Sequence, residues 1–422
     1  MPNSSPCLRV RWPRWLALAL LLLAAATAWA QRWTDAAGRP NAAAAQAVAL
    51  IASAADDGLD PSDFEADRLA QLTHRLRDAP EPMPDEATSL EAALDAQLPR
   101  YLRHLHRGRV APSALGFRVG AQRDEPDYEA LVNQAVAQPQ FAQTAADLAP
   151  ALPAYRQLRD ALVRYRALAA EDTVPGWTPV VTLRRGDRHP AIPVLRRRLA
   201  AFGDLHSSAP PDPDDTYEDD LVEAVLRFQS RHGLQPDGTL GPATQAELAV
   251  PVSQRVRQIE LSMERLRWLP RLERPFLAVN IPMFQLWGVD AQDSAAVAMN
   301  VIVGRALNTR TPVLMASMRQ VIFRPYWNVP RSIVRHELLP LIERDRGYLA
   351  RHDMEIVRGV GDDAAAVEPT ASNLAGLRSG TLRLRQRPGP RNSLGLVKFD
   401  FPNDSGVYLH GCLLYTSPSP RD

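Results

Sequence analysis

An imidazole and a thiol stand two residues apart near the end of the chain, at His410-Gly411-Cys412, and they form its most reactive constellation. A thiolate can attack a carbonyl and hold the acyl group covalently, and a histidine can draw off the thiol proton. The chain has only 2 cysteines, and the other, Cys7, lies in a segment that would be removed on export, which leaves no partner for an intramolecular disulfide. From the residues alone, a lone cysteine in an exported protein is either a reactive thiol or an accident. Upstream, Arg324-Pro-Tyr-Trp-Asn328 offers a planar guanidinium suited to a carboxylate and two aromatic rings suited to a cleft wall. A surface salt bridge for Arg324 and a core position for Tyr326 and Trp327 are the plain alternatives. His104 and His106 are two apart and do not share a helix face, and His336 and His352 lack Cys, Asp or Glu partners at metal spacing. No metal and no cofactor are expected.

The N-terminus sets the compartment in which such chemistry would run. Arg9, Arg11 and Arg14 precede an apolar run from Trp15 to Ala28, and Ala28-Trp-Ala30 follows, which is the order of a secretory signal over residues 1–30. The run is shorter than the roughly 20 residues of a spanning helix, with an uncleaved anchor as the alternative. Contact with a membrane is expected only through this segment, and the mature chain is expected in the periplasm or cell envelope. Lys and Arg total 49 against 48 Asp and Glu, a formal net charge of +1, so no global field recruits nucleic acid or an anionic surface. At 422 residues the chain has room for two or three domains.

Residues 31–175 are rich in Ala and Leu at helical spacing, with Leu158, Leu162 and Tyr165 recurring on one face, and predict an α-helical domain. The basic stretch Arg100–Arg109 carries Tyr101, Leu102 and Leu105 on a buried stripe, so it reads as a solvated helix face ended by Gly108, not as a nucleic-acid site. Val174-Pro-Gly-Trp-Thr-Pro179 breaks the helix. Residues 176–250 then predict a small three-helix module, with Val194, Leu195 and Leu199 on one helix, Leu221, Val225 and Phe228 on the next, and a turn at Gln235-Pro-Asp-Gly238.

Within that module Leu183-x-x-Gly186-Asp187, Phe228-Gln229, Gly233-Leu234, Asp237-Gly238 and Gly241-Pro242-x-Thr244 resemble the peptidoglycan-binding type 1 domain. Turn glycines, a helix-starting proline and core side chains account for most of these positions structurally. Wall binding is therefore what the resemblance implies.

From 251 onward a helix over Val256–Trp268 precedes apolar, β-branched runs at Phe276–Trp287, Ala295–Val303 and Val313–Phe323. One helix interrupts them, with Ser332 as its cap and Ile333, Leu338, Leu341 and Ile342 as its apolar face. The fold class predicted for the whole chain is α+β multidomain.

In this last region, Asn300-Val-Ile-Val-Gly304, Thr311-Pro312, Arg324–Ile333, Pro388-Gly-Pro-x-Asn-Ser-Leu-Gly395-x-Val-Lys-Phe399, Phe401-Pro-Asn403 and Val407-Tyr-Leu-His410 resemble the YkuD-type L,D-transpeptidase family. Gly58-Leu-Asp-Pro61, Leu102–Arg109 and Leu115-Gly-Phe117 look like the helical scaffold of its long members. The resemblance implies a mainly β catalytic domain over 251–411. It also implies acyl transfer between peptidoglycan stem peptides through a cysteine thioester, with stem peptides and glycan as partners. Arg324, Tyr326, Trp327 and Asn328 are the substrate-side candidates.

In the family a first histidine ends a strand, and a Ser-x-Gly-Cys motif followed by an arginine comes later in the chain. If Cys412 were that nucleophile, the first histidine should lie near Pro390–Val397, where there is none; Leu413 follows the cysteine, and no arginine occurs before Arg421. His410 therefore fits the family's first histidine, the general base and acid, and Cys412 is the weaker candidate for nucleophile. The segment 412–422 resembles translated sequencing-adapter read-through, the alternative being a divergent terminus. As written, the catalytic domain is expected to be truncated and inactive. A wall-binding protein without catalysis is the second reading, and an L,D-carboxypeptidase, in which water resolves the same thioester, is the third.

Overall fold

The computed structural model describes residues 32–117, 119, 123–171, 173–206, 215–292, 295–304 and 310–411. The segment expected to be a signal, residues 1–30, and the residues from Cys412 onward lie outside these residues. The chain forms two compact units, Met1–Gly304 and Arg305–Asp422.

Helices build most of the first unit. Asn41 caps α1 (Ala42–Ala52) by accepting from the Ala44 amide. It is followed by α2 (Ala66–Asp78) and by α3 (Pro84–Arg107), which Pro84 starts and Gly108 ends at φ 84°. Tyr101, Leu102 and Leu105 are buried, so the basic stretch is a solvated face over a core stripe. Asp127 caps α4 (Tyr128–Ala137), and α5 (Phe141–Leu148) and α6 (Pro153–Glu171) complete the helical part.

Neither of the paired histidines of α3 is open. The His104 ring meets the edge of Phe64 at 5.5 Å, and His106 Nδ1 lies 3.0 Å from the Tyr128 hydroxyl. Burial, aided by Arg123 and Arg107, pushes the His106 imidazole down to about 4. Because an unfolded histidine titrates near ~6.5, the folded chain holds fewer protons between these values, and the stability it contributes is full above that range and lost as the pH falls toward 4. The melting temperature, followed by helical circular dichroism, should therefore drop across this window. The drop should be smaller in His106→Gln; equal profiles for the two proteins would contradict this.

The three-helix module is α7 (Ile192–Phe202), α8 (Asp219–Arg231) and α9 (Pro242–Ala249). Its motif residues form one internal network. Gln229 Nε2 donates to Asp237 at 2.9 Å and to Thr244 Oγ1 at 3.0 Å, while Gln229 Oε1 accepts from the Gly238 amide at 2.9 Å. Gly238 has φ 68°, which a side chain would strain. The pattern that carries the resemblance is thus a turn-closing device.

Helix α10 (Val252–Arg267) starts four residues before the predicted Val256. Strands β1 (Phe276–Asn280), β2 (Gln285–Val289) and β3 (Ala295–Asn300) follow as an antiparallel meander. The predicted run Phe276–Trp287 is therefore two strands. Pro282 has no N–H for a ladder, and the chain turns there, with Phe284 at φ 55°.

In the second unit, β4 (Gln320–Phe323) keeps only the end of the predicted Val313–Phe323 run. Next come β5 (Trp327–Asn328), α11 (Arg331–Ile333), a π-helical turn at Val334–Leu338, α12 (Leu339–Arg344) and α13 (Tyr348–Arg351). The unit ends with β6 (Met354–Arg358), β7 (Ala365–Val367), α14 (Ala371–Ser379), β8 (Arg383–Gln386), β9 (Val397–Asp400) and β10 (Leu409–His410). Two predictions fail here. Ser332 lies inside the first turn, because Pro330, at φ −55°, already opens the helix. Leu341 is exposed while Val334 and Leu339 are buried, since the π turn before Pro340 rotates the apolar face.

Two antiparallel sheets result, in the orders β5-β8-β6-β7 and β10-β9-β4. Alternation along β8 puts Leu384 into the helix-covered core with Leu338, Ile342 and Ile356, and Arg385 on the opposite face. Helices and antiparallel sheets together make the chain α+β and multidomain.

Candidate active site

His410 is the last residue of β10, opposite Lys398 of β9, which lies opposite Ile322 of β4. Its ring is exposed, and Nδ1 lies 2.6 Å from the Gly411 carbonyl oxygen. A carbonyl oxygen only accepts, so Nδ1 carries a hydrogen, and in the neutral ring Nε2 is then the nitrogen with the lone pair. The geometry presents a base at Nε2. The Gly411 amide donates to the Val397 carbonyl at 3.2 Å, which holds the turn after the histidine against β9.

A second support comes from the loop before β9. Gly395 sits at φ 66°, and a Cβ there would lie 3.0 Å from Gly411 Cα. Only a glycine lets the loop backbone rest this closely on the residue after His410. Asn392, 1% exposed, shapes that loop. Its Nδ2 donates to the carbonyls of Arg387 at 2.9 Å and Pro325 at 3.1 Å, and its Oδ1 accepts from the Leu394 amide at 2.8 Å. Gln386 adds to the frame by donating to the Arg391 carbonyl at 3.0 Å and accepting from the Ser393 amide at 2.9 Å.

The four substrate-side candidates separate. Arg324, at φ 51°, donates its amide to the Leu396 carbonyl at 2.7 Å, and its side chain is exposed beside the loop that carries Gly395. The Trp327 indole lies near the Tyr408 hydroxyl, and the Tyr408 ring lies 5.6 Å from His410. Burial raises the Tyr408 hydroxyl above the usual tyrosine range, and the nearby Trp327 indole opposes that rise. Lys398 Nζ stands 4.3 Å over the Tyr408 ring and 2.9 Å from Asp400, so this surface carries both signs of charge. Arg324 and Trp327 are therefore tied to the His410 strand or its supporting loop.

Tyr326 is engaged elsewhere. The Arg385 guanidinium lies 4.3 Å over its ring and is itself bonded to Glu355 at 2.7 Å and to the carbonyls of Gly361 and Asp362 at 3.0 and 2.8 Å. Asn328 is exposed on β5, the edge strand of the other sheet, opposite Arg385. Cys412 lies outside the described residues. Among the described residues no group of three or more His, Cys, Asp or Glu is placed to hold a metal ion.

Comparison with known proteins gives three matches along the chain. Residues 25–162 match the family described as "Scaffold domain", residues 188–248 the "Putative peptidoglycan binding domain", and residues 274–417 the "L,D-transpeptidase catalytic domain". Over residues 274–417 the chain is similar to the YkuD-type L,D-transpeptidase family, and the three matches together have the layout of its long form, with a scaffold and a peptidoglycan-binding domain. Over 155 residues it is 29% identical to a Haemophilus influenzae protein described as "Putative L,D-transpeptidase". That match takes in 36% of this chain and spans 30% of the relative's length.

Proposed function

We propose that this lineage transfers acyl groups between peptidoglycan stem peptides, with His410 as the base that activates a cysteine. The thiolate attacks the carbonyl between the third stem residue and the terminal D-alanine. The carbon–nitrogen bond then breaks, D-alanine leaves with the proton held by His410, and a thioester remains. An amine from a neighbouring stem attacks the thioester, its proton passes to His410, and the thiolate leaves. The observation that best supports His410 in this role is its hydrogen bond to the Gly411 carbonyl, which leaves Nε2 free to take a proton. Arg324 is proposed to meet a stem-peptide carboxylate, and Trp327, Tyr326 and Asn328 to contact the peptide.

The division proposed is a signal over 1–30, scaffold over 31–175, binding module over 176–250 and catalytic domain over 251–411, with 412–422 a foreign tail. Action on peptidoglycan fits export through that signal, and among the described residues no helix is long and apolar enough to cross a membrane. Residues 1–422 contain no Ser-x-Gly-Cys-x-Arg, and by themselves they are proposed to catalyse no acyl transfer. A tethering role for this form is favoured by the closed Gln229 network, which leaves its binding module whole.

A carbapenem, which acylates a nucleophile of this kind, separates the readings by intact mass. The protein as written should gain no adduct. A version in which a family member's terminal segment with Ser-x-Gly-Cys-x-Arg replaces residues 412–422 should gain one carbapenem per chain. An adduct on Cys412 of the unaltered chain would overturn the assignment of His410 as the family's first histidine.

A further inference from the structure

The family matches leave residues 249–273 unassigned, between the binding-domain match that ends at 248 and the catalytic match that starts at 274. Helix α10 fills most of that gap, and its side chains grip two domains at once.

The N-terminal half of α10 holds the three-helix module. Arg255 is 9% exposed, yet its guanidinium is fully engaged there: NH1 lies 2.7 Å from the Glu247 carboxylate and NH2 donates to the Glu247 carbonyl at 2.7 Å. The same carboxylate lies 2.9 Å from His232 Nδ1, so α8, α9 and α10 meet at one oxygen.

The C-terminal half holds the helical scaffold. Glu260 pairs with Arg166 of α6 at 2.8 Å. Glu264 accepts from the backbone amides of Arg109 and Val110 at 2.6 and 3.1 Å. The Arg267 side chain is 0% exposed and donates to the Tyr155 hydroxyl at 2.7 Å and to the Asp57 carbonyl. Two turns are shaped to admit the helix: a Cβ on Gly58 would lie 3.4 Å from Glu260 Cα, and one on Gly108 would lie 2.5 Å from Glu264 Oε1.

Between these halves the apolar packing is shared. Val256 and Ile259 pack against the module's core, which includes Tyr165 of α6, and also against the cluster of Tyr155, Leu162 and Met263. A flexible tether would be exposed and rich in Gly or Ser. A buried arginine is tolerated only where fixed partners surround it, and α10 has one at each end. We propose that α6 and α10 form a splint that makes the scaffold and the binding module one rigid body. The module would then hold the wall at a set distance from the scaffold instead of reaching for it on a leash. This inference rests on the first unit alone and stands whether or not the protein is an enzyme.

The test uses the full chain with Cys7→Ser and Cys412→Ser, and spin labels at Met83→Cys in the scaffold and Val181→Cys in the module, both exposed positions. Pulsed electron resonance should give one narrow distance. Inserting a short Gly-Ser segment between Val250 and Pro251 should leave that distance narrow, because side chains and not chain length hold the two parts. Arg267→Met, which keeps volume and removes the guanidinium, should broaden it. A broad distribution in the unmodified chain, a loss of the single peak on Gly-Ser insertion, or a peak that stays narrow in a folded Arg267→Met protein would each overturn the proposal.

Discussion

Replacing Asn392 with alanine is expected to destabilise the loop before β9 by at least about 3 kcal/mol, since each buried polar group left without a partner costs roughly 1–3 kcal/mol and three lose theirs. One side chain, 1% exposed, joins the Pro325 carbonyl ahead of β5, the Arg387 carbonyl after β8 and the Leu394 amide beside Gly395. Alanine orphans all three and leaves a cavity that the glycine-bearing turn is too tightly bound to fill. Asn392→Asp keeps the shape but removes both donors and sets a carboxylate against carbonyl oxygens, so it should be no milder. Hydrogen exchange reads the effect directly: the Leu394 and Gly395 amides should exchange at least about tenfold faster, the equivalent of 1.4 kcal/mol. Rates within twofold of the unmodified chain, in both variants, would show that Asn392 does not hold this loop.

The second large effect concerns His410, tested in the version whose terminal segment supplies Ser-x-Gly-Cys-x-Arg. His410→Ala should slow carbapenem acylation by about 10²–10⁴-fold, the usual contribution of a positioned general base. The variant should keep its fold, because the ring is exposed and its only described bond is to the adjacent Gly411 carbonyl. Trp327→Phe removes the indole N–H near Tyr408 and should cost much less, since it acts only through the surroundings of the strand that bears the histidine. If His410→Ala acylated as fast as its parent, the base would have to be sought elsewhere.

Much of the fold was legible in the sequence because it is written in periodicity and punctuation. The buried stripe Tyr101, Leu102, Leu105 and the helix stop at Gly108 needed only helical spacing and one glycine. The places where that reading failed are those where one residue overrides a local pattern. Pro282 splits an apolar run into a hairpin, and the π turn before Pro340 moves Leu341 out of the core and Leu339 into it. Helices α13 and α14 leave no clear periodicity in the sequence because they are short, 4 and 9 residues.

The candidate site divides in the same way. His410 could be picked out because it ends an apolar strand pattern, and the loop because Gly395 and Asn392 stand in a recognisable series. What Asn392 does could not be seen, since its partners are backbone groups at positions 325, 387 and 394, brought together only by the fold. Nor does sequence separate Tyr326 from Trp327. They are adjacent in an extended segment, so they face opposite ways, one toward Arg385 and the other toward Tyr408.

Acyl transfer from stem peptides, with His410 as base, is the role proposed for this lineage. The most direct measurement incubates the version carrying Ser-x-Gly-Cys-x-Arg with a tetrapeptide muropeptide and follows D-alanine release and the protein's mass. Free D-alanine, a transient protein–peptide thioester, and cross-linked dimers when a second stem is present are expected, all lost in His410→Ala. A folded protein that binds the muropeptide but releases no D-alanine and forms no thioester would contradict it.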